Sequence, residues 1–287
     1  MLRNLRAQLV FADPSFAEQG QFDNGFNTLT FISVPDLPIN TVSLTEGAAP
    51  TPRALTISTV TITPTQYGDA VAITDLAARL SPFDISNVAS EKITFQAMES
   101  LDKVNRDVIA AGGTAFYANG VASRAALAAG DKLDSADLRK LRATMYKNKI
   151  PPFGDAYYRM MISPEQGFDL RNDGVTNGNW VDANKYSTPE TLLRGELGRL
   201  EGFRIMEVVN APTFASTVTV HAAIAVGDIR GWGAGDLQSL TIHHVAPGGD
   251  HKDYLAQEEL VGWKISFGVA VLNSAWYYRV ESSASAL

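Results

Sequence analysis

Residues Ser81–Gly113 read SPFDISNVASEKITFQAMESLDKVNRDVIAAGG. The Ser-Pro-Phe-Asp opening is a helix-entry signal, no Pro or Gly interrupts Ile85–Ala111, and Gly112-Gly113 stops the run. One long helix is therefore expected, roughly 40 Å from end to end at about 1.5 Å per residue. Val88, Phe95, Met98, Leu101, Val104 and Val108 recur at threes, fours and sevens. That spacing predicts one apolar face, with the charged remainder turned to solvent or to another subunit.

Ahead of the helix lie two segments without a core of their own. Met1–Asn40 scatters Phe11, Phe16, Phe22, Phe26 and Phe31 among Asn, Asp, Gly and Pro with no sustained period, which reads as an extended arm. A disordered tail is the competing reading, against which stands the lack of low hydrophobicity; the arm's aromatics are expected to dock on the body of the chain or on a neighbour. Thr45–Thr74, TEGAAPTPRALTISTVTITPTQYGDAVAIT, opens on Gly and Pro and then becomes rich in Thr, Val and Ile. A β-hairpin is expected there, with strands near Leu55–Thr63 and Asp69–Thr74 and a turn bracketed by Pro64 and Gly68. A long hairpin with polar faces is marginal alone, which makes this one an interaction candidate.

Beyond the helix, Thr114 to Val245 alternates helix and strand signals. A helix Ser135–Lys147 follows an Asp134 cap, then come a strand Ala156–Ile162, a short helix Pro164–Arg171 and a loop in NDGVTNGNW (Asn172–Trp180). Thr188-Pro189-Glu190 starts another short helix, and Phe203–Val209 and Val218–Val226 are strand-like. Together they predict a compact α+β lobe. Val261–Leu272 and Trp276–Glu281 read as closing strands, expected to return to the sheet beneath the long helix.

The whole chain, 287 residues with 45% hydrophobic and 19% charged, has the composition of one or two globular domains. Cysteine is absent, which excludes disulfides, thiolate nucleophiles and cysteine-ligated metals. With 24 Lys+Arg against 31 Asp+Glu the formal charge is −7, the opposite of a surface built to grip phosphates. Neither a signal-peptide pattern in MLRNLRAQLVFADPSF nor any membrane-length apolar run is present, so neither Sec export nor a membrane is expected.

Chemistry-bearing motifs are few. His221, His243, His244 and His251 are the only histidines, and with Asp250 and Asp253 they suggest at most a metal site whose spacing fits no helical ligand pattern. A strand end followed by the polar turn APGGDHKD explains them better. Gly231-Trp232-Gly233-Ala234-Gly235 lacks the dinucleotide-loop register and reads as a turn, and neither a nucleophile elbow nor a phosphate loop occurs. Asp131, Asp134 and Asp137 do not match a calcium loop and read as caps and first-turn acids of a helix. Arg194–Gly202 alternates both charge signs with glycines and reads as a solvated bend, with a subunit contact as the competing role.

The order of arm, β-hairpin, long helix, α+β lobe and returning strands resembles the Hong Kong 97-type major capsid protein of tailed bacteriophages. Within that fold the chain is similar to the podophage-type major capsid family. Gln66-Tyr67-Gly68 and Ile73-Thr74-Asp75-Leu76 match its QYG…ITDL stretch ahead of the long helix. GELGRLEGFRIMEVVNAP (Gly195–Pro212) resembles its G-x-x-G-x-x-x-G-h-x-h-x-E-x-x-N segment, h being apolar, and VGWKISFGVAVLNSAWYYRVE (Val261–Glu281) its closing GWK…LN…RIE.

The resemblance implies an N-arm over 1–44, an E-loop over 45–75, a P domain with the spine helix over 76–113, an A domain over 114–245 and P-domain return strands over 246–287. It further implies a non-enzymatic protein that self-assembles through hexamers and pentamers into an icosahedral shell around double-stranded DNA bound without sequence specificity. Scaffolding, portal and decoration or cement proteins are the further partners implied. No catalytic residue, cofactor, metal or membrane is implied, and the location is the virion, with host cytoplasm during assembly. Some members weld the shell from an E-loop lysine, but no lysine precedes Lys92 here, so that bond is unavailable. Some also carry a scaffolding segment ahead of the arm; here it is expected to be a separate protein or already removed. Hinges are expected at Gly112-Gly113, Thr45–Gly47 and Thr74-Asp75. Competing readings are an encapsulin-like nanocompartment, a phage tail or accessory structural protein, and a soluble metal-dependent hydrolase built on His243, His244, His251 and Asp250.

Overall fold

The computed structural model describes residues 9–22, 27–35, 37–47, 49, 51–177, 196–249 and 253–286. In chain order its elements are β1 (Glu18–Gln21), β2 (Leu29–Ser33), β3 (Ser58–Ile62), β4 (Thr65–Thr74), α1 (Asp75–Leu80), α2 (Ile85–Gly112), β5 (Thr114–Tyr117), α3 (Ser135–Lys147), β6 (Tyr158–Ile162), α4 (Pro164–Asn177), β7 (Glu196–Leu200), β8 (Phe203–Glu207), β9 (Thr213–Ala215), β10 (Thr219–Val226), β11 (Trp232–Val245), β12 (Glu258–Val271) and β13 (Tyr277–Ser282).

The long helix starts and stops where its caps dictate. Asp84 Oδ1 accepts the Asn87 backbone N–H at 3.2 Å, and Gly113 ends the helix in extended backbone. Its buried face differs from the predicted one. Ile85, Ala89, Ile93, Ala97, Leu101 and Val104 lie on the sheet, packed with Ile73, Val261, Trp263, Ile265 and Phe267. Met98, expected inside, is exposed. The steps of four from Ile85 to Leu101 form one ridge, and its alanines let the helix approach the broad Trp263 and Phe267 side chains.

That sheet has the order β1-β11-β12-β4, with β1 parallel to β11 and the other pairs antiparallel. β3 and β4 do not form the expected hairpin with each other: β4 pairs with β12 over its whole length, and β3 pairs with β2. Strand pairing is set by residues distant in sequence, so a Pro-to-Gly turn signal shows where a strand ends and not what it pairs with. The short helix α1, capped by Thr74 Oγ1, went unread in the sequence.

The second sheet runs β5-β13-β10-β6-β8-β7, with β9 added on β10. β13 therefore does not return beneath α2 as expected; only β12 does. Leu138, Leu141 and Met145 of α3 and Leu170 of α4 pack with Met160, Phe203, Ile205 and Val280 in one core. Val10, Phe11, Phe16, Ile109, Trp232 and Tyr277 form another with Met161, Ile224 and Val226. Met160 and Met161 are sequence neighbours on one strand, so the two cores cover opposite faces of this sheet.

Gly231–Gly235 is not a turn throughout: from Trp232 on it is strand, and a Cβ at Gly233 or Gly235 would strike Phe31 or Leu29 of β2, which cross it. Helix α4 continues through Asn172–Asn177, where Asn-Asp-Gly had suggested a loop, because extending a formed helix adds a bond for each residue fixed. The described part of Arg194–Gly202 is half of a β7–β8 hairpin turning at Glu201 and Gly202, both at positive φ, with Leu200 buried. The helix expected from Thr188 lies outside the described residues, as does Phe26.

Gly112-Gly113, placed as a hinge from sequence, has a packing reason. A Cβ on Gly113 would sit 2.7 Å from Tyr277 Cε2, in a buried ring whose hydroxyl donates to Ile109 O at 3.0 Å. Gly113→Ala is therefore expected to cost about 1–3 kcal/mol through overpacking. A thermal melt unchanged from wild type would show instead that Tyr277 gives way freely.

Candidate assembly surfaces

The arm is pinned to its own chain. Val10, Phe11, Phe16, Ala17 and Phe22 are buried, and Phe16 meets Phe153 edge-to-face. Asp102, buried on α2, accepts the Ala12 backbone N–H at 3.0 Å. Burial pushes the Asp102 carboxyl above the usual range, against the backbone hydrogen bonds of the arm. Of the two partners expected for the arm aromatics, the structure shows the chain's own body.

The segment between β2 and β3 behaves in the opposite way. Val34, Leu37, Ile39, Val42, Leu44, Leu55 and Ile57 are 50–77% exposed, seven large apolar side chains on one excursion of chain. Apart from Asp36, its charges are Glu46 and Arg53. Arg53 Nη1 donates to Pro38 O at 3.2 Å, which holds the two limbs side by side and puts the tip near the turn at Glu46-Gly47. The alternation VPDLPINTVSL carried this signal, since prolines bar regular structure while apolar residues remain. The arm reading had absorbed most of it.

A second exposed apolar group lies at one end of the α2 sheet. Leu76, Leu80, Phe83, Tyr254 and Leu255 stand out beside the β11–β12 connection, tied together by the Asp75 N–H to Gln257 O hydrogen bond. Asp253 accepts from the backbone N–H groups of Gln257, Glu258 and Gly248 at 2.9, 3.0 and 3.1 Å. Those bonds, Gln257's foremost, hold its carboxyl below the usual range. Tyr254 is thus presented on a preformed turn.

The second sheet is tied to the end of α2 at a buried ionic cluster that the sequence reading missed. Glu281 is fully buried and accepts from Arg124 at 2.7 and 2.6 Å and from Arg279 at 2.6 Å. Arg279 also donates to Ala110 O at the end of α2, and Arg124 lies 3.8 Å above the Phe214 ring. Burial pushes the Glu281 carboxyl up, but the hydrogen bonds and charges of the two arginines outweigh it and leave it lowered. The Arg-x-Glu of the closing strand, on one face by its spacing of two, was the available signal.

The residues weighed for metal chemistry are scattered into structural roles. His221 Nδ1 lies 3.1 Å from Ser163 Oγ, and His243 Nε2 lies 3.2 Å from Thr241 Oγ1. His244 Nε2 sits 2.6 Å from Glu259 Oε1, whose other oxygen accepts from Ser86, stapling the start of α2 to β12. Asp250 and His251 lie outside the described residues. Asp134 caps α3 as expected and Asp137 stands in its first turn, whereas Asp131 accepts from Ala128 N and Asn119 Nδ2 in the preceding loop. Among the described residues no three His, Cys, Asp or Glu side chains gather as a metal site, and no helix is long and apolar enough to cross a membrane.

A pinned arm, a projecting apolar loop and a long helix over a sheet are features of a subunit. The family model described as phage capsid protein matches residues 56–280. The chain belongs to the phage capsid protein family. This capsid protein is also similar in structure to the capsid of the cyanophage P-SCSP1u, at 18% identity and a TM-score of 0.73 over 99% of this chain and 91% of that one. The Ralstonia phage GP4 capsid matches at 13% and 0.75 over 100% and 94%, and the cyanophage Pam1 capsid at 14% and 0.74 over 99% and 95%. No curated protein sequence matches the chain. The fold is thus the α+β Hong Kong 97-type capsid fold, and the chain is a major capsid protein, a self-associating part of the virion shell. The nanocompartment, tail-protein and hydrolase readings find no support in these likenesses.

Proposed function

We propose that this capsid protein closes into an icosahedral head through hexamers and pentamers, held by surfaces that are exposed in the single subunit. The observation that carries this is the loop between β2 and β3, whose seven exposed apolar side chains are a liability in a monomer. Covering them releases on the order of 10 kcal/mol per subunit before the costs of association. This loop, 29–62, takes the role of the E-loop, shifted toward the N-terminus from 45–75. The remaining division is a short arm before it, a P domain of α2 with the β1-β11-β12-β4 sheet, and an A domain built on the second sheet. Because β11 pairs with β12 and β13 with β10, each domain draws strands from both sides of the 245/246 boundary.

Double-stranded DNA fills the shell without being read, scaffolding and portal proteins act during assembly in the host cytoplasm, and the chain performs no catalysis. Electron microscopy of the purified protein beside its light-scattering mass tests the proposal. Closed polyhedra, or rings of five and six subunits, are expected. A monomer of 30.9 kDa at every salt and protein concentration would overturn it.

A further inference from the structure

The root of the arm meets α2 at a buried carboxyl. Asp102, Asn105 and Ile109 are buried on the helix at spacings of three and four, and Ile109 belongs to the core that holds Val10, Phe11 and Phe16. Asp102 Oδ1 takes the Ala12 N–H at 3.0 Å, whereas its Oδ2 has no hydrogen-bond partner among the described residues. Two more buried polar atoms share that condition: Asn105 Oδ1, one turn along the helix, and Nδ2 of Asn210, whose amide faces the carboxyl from the connection between β8 and β9. Ionised, the carboxyl sets a full charge one turn from the acceptor of Asn105. Protonated, Oδ2 becomes a donor, and Asn105 Oδ1 is the unpartnered acceptor on the same face. Burying an incompletely paired charge is costly, and the neutral acid avoids that cost.

We propose that Asp102 is a proton-operated latch on the arm: Val10–Ala12 are seated on α2 while this carboxyl is protonated and are loosened from it when the carboxyl ionises. The forces on the group have the required sign. Burial, the largest, lifts the carboxyl above its usual range, and the N–H groups of Ala12, Phe11 and Val10 and the Asn210 amide pull it back without cancelling the rise. An arm that lifts away returns Asp102 to water and to the ordinary carboxyl value of about 3.9. The seated state therefore binds the proton more tightly, is fully favoured below that value, and loses the advantage as pH rises through the raised one. Charged groups on the surrounding elements are engaged with other partners. Arg106 donates to Asn210 O at 3.2 Å and to Asp107 at 2.6 Å, and Asp13 of the arm accepts the Ser15 N–H at 2.9 Å. Arg159 of β6, Arg279 of β13 and Glu207 of β8 hold Asp155, Glu281 and Arg171, while Glu99 and Lys103 stand exposed on α2. The latch decides when the arm belongs to its own body, and it stands on the single subunit whatever the geometry of the shell.

Hydrogen exchange read by mass spectrometry on the unassembled full-length protein tests it, from about pH 4 to about pH 8 and corrected for the intrinsic pH dependence of exchange. Peptides covering Val10–Phe16 report the arm, and peptides from β10 report the body. Protection of the arm is expected to fall with rising pH in wild type, by about tenfold for each pH unit that separates the seated and free pKa values, while β10 stays protected. Asp102→Asn keeps an acceptor for Ala12 and cannot ionise, so the arm should hold its acid-level protection at every pH. Asn105→Ala removes the acceptor for the proton and is expected to move the wild-type transition to lower pH. Wild-type protection that is flat or rises with pH, a fall shared equally by β10, or a pH profile unchanged in Asp102→Asn overturns the latch. Where Asp102→Asn does not fold, a transition left unmoved by Asn105→Ala overturns it.

Discussion

Ile39, Val42 and Leu44 changed together to serine yield a folded protein that no longer forms rings or shells. All three are more than 70% exposed, and none belongs to a core cluster. Substitutions of that kind normally move stability by no more than about 0.5 kcal/mol each, so the unfolding midpoint of the unassembled protein should stay near wild type. Assembly responds otherwise. Each side chain forfeits roughly 1.5–3 kcal/mol of burial at every contact it makes, and obligate interfaces of roughly 2,000 Å² or more owe their strength mainly to such burial. Light-scattering mass at a fixed protein concentration is the measurement, with a thermal melt beside it. Shells at wild-type yield would sink the assignment of the loop as the assembly surface. A midpoint lowered by many degrees would mean that the loop packs on its own subunit.

What was legible in the sequence was largely local. Asp84 and Gly112-Gly113 mark the ends of α2, and Asp134 marks the start of α3, because caps act through bonds to neighbouring residues. The β-branched run before Thr74 showed strands for the same reason. Partners were not legible. Ile62 pairs with Leu29 and Thr74 with Glu258, pairings fixed by how whole faces bury and not by the turn at Pro64. The face of α2 was misjudged because Phe95 and Met98 outweigh Ala89 and Ala97 in a count of apolar residues, although the smaller side chains are those that fit against Trp263. The glycines of Gly231–Gly235 looked like a turn because their cause, the crossing of Leu29 and Phe31, lies about 200 residues earlier in the chain. The first limb of the loop, before Thr45, went unread as an interaction surface for a related reason: exposure is a property of what fails to meet a partner, and only the folded chain shows that.

Glu281→Gln tests the tie between the second sheet and α2, and the expected loss is large. The carboxylate is fully buried between two guanidinium groups, and its removal leaves Arg124 and Arg279 without their shared counter-charge. Breaking a buried ion pair from one side costs about 3–5 kcal/mol, because the remaining charges stay desolvated. The effect also has a pH signature. Glu281 has a folded-state pKa lowered from its usual value, so its contribution is present above the unfolded pKa of roughly 4.3 and is lost as pH falls through the lower folded value. Asp102 runs the other way: its raised pKa gives stability that is complete at low pH and declines as pH rises through the folded value. Because Asp102 is present in both proteins, subtracting variant from wild type isolates Glu281. Denaturant melts of unassembled protein should show the full difference at pH 7 and a shrinking one below about pH 4. A difference under about 1 kcal/mol at pH 7 would show that the arginines find other partners. The full loss would locate at Glu281 the contact that orients the second sheet against α2, since Arg279 holds both the carboxylate and the Ala110 carbonyl in the last turn of the helix.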